Sequence, residues 1–139
     1  MMFDSFRARV GVIMIHGRDI LLLRDTKGIP PNFFLPGGVV RLGETLEVAA
    51  KREVKSQTGL DIELHKLLYI YDNIKDDGKH RLDIFFLGKV AEEQQAMPGV
   101  QNTKLDWISV DLLPSMNLNP KILREQILKD WQNKFKTES

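Results

Sequence analysis

The residues best suited to chemistry lie in one stretch, Gly37 to Leu60, which reads GGVVRLGETLEVAAKREVKSQTGL. A turn signal, Pro36-Gly37-Gly38, opens it, and a polar loop runs to Gly43. A helix-like segment of about four turns follows. Gly59 then suits the left-handed conformation at a helix end. At about 100° per residue, Leu46, Ala50 and Val54, flanked by Ala49, form the inward face. Glu53 and Gln57 fall inside or at the edge of the same arc, Ser56 lies beside it, and Lys51 and Lys55 point the other way. An inward-leaning carboxylate costs free energy unless it is paired, hydrogen-bonded or holding a cation. Glu53 is therefore paired with an arginine, set at a solvated rim, or part of a site. The glycines allow the backbone to approach a phosphate or a cation closely.

Other groups are weaker candidates. Phe33, Phe34, Tyr69 and Tyr71 are able to stack on a base, or equally to fill the core. Arg7, Arg9, Arg24 and Arg81 are able to hold phosphates, though a lone arginine at a strand end is commonly a surface ion pair. His16 and His80 lie at turns with no partner at ligand spacing, which argues against zinc. No nucleophile elbow or P-loop is present. No cysteine exists, so disulfides, thiolate metal sites and a cysteine nucleophile are excluded. The formal charge of +1 gives no electrostatic footprint for nucleic acid or membrane. An apolar fraction of 42% supports a real core rather than disorder. The start MMFDSFRARV lacks the apolar run of a signal peptide, so a soluble cytoplasmic protein is expected.

The elements that must position the stretch are short and alternate in type. Arg7–Ile15 and Ile20–Arg24 read as a hairpin across the turn His16–Asp19, and Asp25–Asn32 as a loop. Leu60–Tyr71 and Arg81–Val90 read as a second hairpin, Ala91–Asn102 as a long loop, and Leu105–Ile108 as a strand. A turn or short helix follows and is expected to stop at Pro114. Asn119 is expected to cap a terminal helix with Pro120 at its first position. That helix carries Ile122, Leu123, Ile127, Leu128 and Trp131 inward. The order predicts one domain over residues 1–139, of the α/β or α+β class.

A longer pattern runs through the central stretch. Gly38 is followed after five residues by Glu44, and after seven more by Arg52-Glu53-Val54; Gly59-Leu60 closes it. Phe34-Leu35-Pro36-Gly37 leads in. This resembles the signature of the Nudix hydrolase family in seven positions in register. The resemblance implies an α/β/α sandwich with a mixed β-sheet between helices. It implies cleavage of a pyrophosphate bond in a nucleoside diphosphate linked to another group, assisted by magnesium or manganese. It would make Glu53 a metal ligand or catalytic base, with Arg52 and Glu44 bracing loop against helix. The Gly37 carbonyl would face the metal, and Gly37, Gly38 and Phe34 would meet the substrate. Glu92 or Glu93, or less favourably Asp83, would add a carboxylate. A homodimer is also compatible with it. The departure is Ser56-Gln57, which stands where the signature has a Glu-Glu pair. Magnesium prefers charged oxygen ligands, so the exchange implies weakened metal binding. The alternative is a domain that binds nucleotides without cleaving them. Specificity is expected in the loops Asp25–Asn32 and Ala91–Asn102.

Overall fold

The structure, a computed structural model, describes residues 6–91, 94, 96, 97, 99 and 103–135. Its elements are β1 (Phe6–His16), β2 (Asp19–Asp25), β3 (Phe33–Phe34), β4 (Gly37–Val39), α1 (Leu46–Thr58), β5 (Ile62–Ile74), β6 (His80–Val90), β7 (Thr103–Ser109), a 3₁₀ turn (Val110–Ser115), β8 (Leu118–Asn119) and α2 (Lys121–Lys134). The strands join in the order β5-β6-β1-β2-β3-β8, with β4 on β1 and β7 on β2. The pairs β1·β6 and β3·β8 are parallel, and the rest antiparallel. The sheet is therefore mixed, as expected.

Alternation along β1 divides the core. Val10, Val12 and Met14 pack with Ala49, Ala50 and Val54 of α1. Ile13, on the opposite face, packs in a cluster with Leu123 and Ile127 of α2. Each helix covers one face, which gives the α/β/α sandwich. Thr45 caps α1, its Oγ1 accepting the Val48 N–H at 3.2 Å. Gly59, at φ 76°, ends the helix and donates its N–H to the Lys55 carbonyl. No helix among the described residues is long and apolar enough to cross a membrane.

Several local expectations are corrected. Leu46 and Ile122 are exposed; burial on α1 begins at Ala49 and on α2 at Leu123. Pro114 lies inside the 3₁₀ turn rather than ending it. Asn119 does not cap α2. It pairs with Phe34 across β3·β8, and its Nδ2 donates to Asn32, so the N-cap position falls to Pro120 with no side-chain bond. His80 does have a carboxylate partner, Asp72. The two face each other near the β5–β6 turn, where antiparallel register rather than chain spacing sets neighbours.

Candidate active site

Pairing of β4 with β1 sets the site. Gly38 lies beside Val10 and so faces α1; Gly37 lies beside Gly11 and faces the other side of the sheet. Glycine is required at Gly37, where the clash is with backbone, while at Gly38 a side chain would displace Glu53. A Cβ on Gly37 would overlap the Val10 carbonyl, and one on Gly38 would sit 2.5 Å from Glu53 Oε2. The Glu53 carboxylate therefore rests directly on the β4 backbone.

Arg52 anchors the loop. Its Nε and Nη2 donate to the two oxygens of Glu44 at 2.6 and 2.9 Å, in the fork geometry of a strong pair. Nη2 also donates to the Val39 carbonyl at 3.1 Å, and Nη1 donates to Glu53 Oε1. The Arg41 N–H donates to Glu44 Oε1 at 2.8 Å. The Arg52 bond, and then that backbone bond, hold the Glu44 carboxyl down at about 2. Glu44 and then Glu53 push the Arg52 guanidinium upward in turn. Loop, helix and β4 are thus tied through one cation.

Gln57 completes the frame in an unforeseen way. Its Oε1 accepts the Gly37 N–H at 2.9 Å, and its Nε2 donates to the Gly37 carbonyl at 2.7 Å. Nε2 also lies 3.3 Å from Glu53 Oε2, within donating distance. The amide orientation follows from this pairing, because a flip would set donor against donor and acceptor against acceptor. Ser56 is exposed. Beyond it, the Gly99 and Met97 N–H groups donate to the Gln57 and Thr58 carbonyls, satisfying the end of α1.

This arrangement tests the divalent cation that the resemblance implies. Gly37 O and Glu53 Oε2, two oxygens a cation would bridge, already converge on one amide nitrogen, and Arg52 satisfies Glu53 Oε1. Among the described residues no three histidine or acidic groups gather as a metal site. The donor set as arranged does not fit a hard cation. Glu92 and Glu93, named as further ligands, lie outside the described residues.

Gly37 also lines a cleft of about 400 Å³ on the sheet face opposite α1. Its floor is built by alternation: Arg9 and Gly11 of β1 beside Asp83 and Phe85 of β6. Phe34, 39% exposed, and Asn119 form a wall. Asp83 is buried and accepts from Asn73 at 3.0 Å and from Arg81. Arg24, by contrast, pairs with Asp106, the ordinary use of a strand arginine. Tyr69 is core: burial and then its bond to Asp130 push its hydroxyl up. The loops expected to set specificity contribute none of the cleft's lining residues among those described. Arg9 and Arg81, expected from the sequence as possible phosphate holders, both line the cleft, whereas Phe85 was missed although it alternates with Asp83 and Arg81 along β6.

Known proteins share this fold and signature. The NUDIX domain family model matches residues 5–129. An ADP-ribose pyrophosphatase of Methanocaldococcus jannaschii is 31% identical over 128 residues, covering 88% of this chain and 72% of that protein. A putative 8-oxo-dGTP diphosphatase of Bacillus subtilis is 32% identical over 103 residues, covering 74% and 66%. Among solved structures, a NUDIX hydrolase from Nitrosomonas europaea has the same fold, with a TM-score of 0.76 at 21% identity over 94% of this chain and 90% of that one. The seven signature positions, the loop they brace and a family match over most of the chain make this protein a member of the Nudix hydrolase family.

Proposed function

We propose that the protein hydrolyses a pyrophosphate bond in a nucleoside diphosphate linked to another group, with a weakened requirement for magnesium or manganese. One observation carries the reading: a braced carboxylate, Glu53, lies against glycine backbone whose neighbour Gly37 opens onto a cleft with Arg9, Arg81 and the exposed ring of Phe34. In this reading Glu53 accepts a proton from water as the water oxygen bonds to phosphorus. The bridging P–O bond breaks, leaving a nucleoside monophosphate and a second phosphate ester. Arg52 and Glu44 hold Glu53 and the loop in place. Gly37 and Gly38 give the phosphates close access to the backbone, and Phe34 offers a face to the base. The relatives named for ADP-ribose and 8-oxo-dGTP support this substrate class. The weak metal requirement rests on Gln57, whose amide stands between the Gly37 carbonyl and the Glu53 carboxylate.

That same amide favours a second reading, in which the groove binds a nucleotide without cleaving it. Release of nucleoside monophosphate from a panel of nucleoside diphosphate compounds, with magnesium or manganese, separates the two. Turnover that Glu53→Gln abolishes supports the hydrolase. Tight nucleotide binding by the unaltered protein with no turnover overturns it.

A further inference from the structure

The cleft face of the sheet continues past the site, and its residues change character row by row. Gly37, Gly11 and Phe85 form one row across β4, β1 and β6. Val39, Arg9 and Asp83 form the next, and Arg7 and Arg81 the one beyond. Same-face rows lie about 6.6 Å apart, so Arg7 and Arg81 stand roughly 13 Å from the Gly37 row. Here a second cleft of about 320 Å³ opens, lined by Arg7, Arg9, Lys75, Lys79, His80 and Arg81, with Arg9 and Arg81 shared with the first. Among the described residues no acidic one lines it.

Nearby carboxylates answer only part of this charge. Asp83 takes Arg81, Asp72 takes His80, and Asp77 lies 3.9 Å from Lys79. Arg9 and Lys75 have no side-chain hydrogen bond or ion pair among the described residues. Arg7 and Arg81 are register partners on adjacent strands, and like charges placed opposite each other destabilise a sheet. The fold tolerates this crowding at the end of the cleft that the proposed function assigns to the scissile diphosphate. An anion lying there would pair with Arg9 and Lys75.

We propose that this cationic cleft binds one or more phosphate groups that the substrate carries beyond its scissile diphosphate. The preferred substrate is then a small molecule with at least three phosphates, not a bare diphosphate compound. The assignment of the bound phosphates to a substrate rests on the hydrolase reading; the anion site itself does not.

The probe is inorganic tripolyphosphate, titrated calorimetrically into the full chain and compared with inorganic phosphate. Lys75→Ala with Lys79→Ala removes two exposed cations from the β5–β6 turn. Lys104→Ala with Lys129→Ala, on β7 and α2, is the charge-matched control. Each exposed ion pair is worth up to about fivefold in affinity, so the first pair is expected to weaken tripolyphosphate binding about five- to tenfold. The control pair is expected to leave it unchanged. About 1 M sodium chloride, where the screening length falls to about 3 Å, should erase the contrast. Tripolyphosphate binding no tighter than phosphate, or equal losses in the two double variants, overturns the site. Hydrolysis of a nucleoside diphosphate compound by the unaltered protein is read separately. Turnover without the binding contrast sinks the site alone. The contrast without turnover sinks the hydrolase reading and the substrate assignment, and leaves the anion site standing.

Discussion

Replacing Gln57 by glutamate restores the family's usual charge at a position where this chain has an amide clamp. The remaining oxygen still accepts the Gly37 N–H, but two donated contacts become oxygen against oxygen. Losing the bond to the Gly37 carbonyl costs about 1 kcal/mol. The contact to Glu53 Oε2 spans 3.3 Å. Two carboxylates at about that distance repel by about 5 kcal/mol at an effective dielectric of about 20. Rotation of the new carboxylate toward water relieves much of this, because the position is only half-buried. A net loss of about 2–3 kcal/mol in metal-free buffer is expected, or roughly 10 °C in Tm for a chain of this size. A divalent cation should then bind where the amide nitrogen stood. At about a hundred times its Kd it returns about 2.7 kcal/mol. The assay is thermal unfolding followed by circular dichroism, first in chelator and then in excess magnesium. Gln57→Glu should regain most of its loss, and Ser56→Glu with Gln57→Glu somewhat more; the unaltered protein should shift far less. Equal stability of Gln57→Glu and the unaltered protein in chelator would refute the clamp. A magnesium gain in the unaltered protein as large as the variant's would refute the claim that the amide stands in the cation's place.

Two further perturbations test the frame around it. Gly37→Ala drives a Cβ into the Val10 carbonyl, which is backbone and cannot turn aside. Urea denaturation should record a loss above about 3 kcal/mol, and a loss under about 1 kcal/mol would mean that β4 does not lie so close to β1. Glu44→Gln removes a carboxylate whose folded value of about 2 lies below its ordinary 4.5. A depressed value contributes stability that is fully present above about 4.5 and lost as pH falls through about 2. The stability difference between the unaltered protein and Glu44→Gln should therefore shrink across that window. Asp111 and Asp130 are also held low, by Arg18 and by Gln126 respectively, but both proteins share them. A difference that stays constant with pH would count against the Arg52–Glu44 pair.

The sandwich was legible because its signals are local. Apolar, β-branched runs separated by turn residues gave the two hairpins, Gly59 ended α1, and Ala49, Ala50 and Val54 marked the face that packs. What escaped depends on contacts between distant segments. Asn119 looks like a helix cap in a one-dimensional reading, yet its partners, Phe34 and Asn32, lie more than 80 residues earlier. Pairing of Glu53 with an arginine was one of the open readings, but that the arginine is its neighbour Arg52 escaped for a different reason. Adjacent helical residues do not face each other, and the contact arises only because Glu44 and Val39 draw the guanidinium across the helix end. The cleft floor was legible in principle from the alternation Arg7, Arg9, Gly11 and Arg81, Asp83, Phe85. Seeing it required knowing that β1 and β6 are adjacent and parallel.

Gln57 shows why a missing charge in a motif does not imply a vacant position. Counted as a ligand, it is a loss of one carboxylate. Placed in the fold, it satisfies both polar groups of the Gly37 peptide and one oxygen of Glu53. A glutamate there would accept from Gly37 N–H but would leave Gly37 O and Glu53 Oε2 facing a third oxygen, an arrangement that needs a cation to be stable. An amide carries its own donor, so the same geometry holds without one. On the proposed reading, the loop, the glycines and the Arg52 brace remain intact while the metal requirement falls. That separation of frame from ligand set explains how seven signature positions stay in register around a pair that has changed.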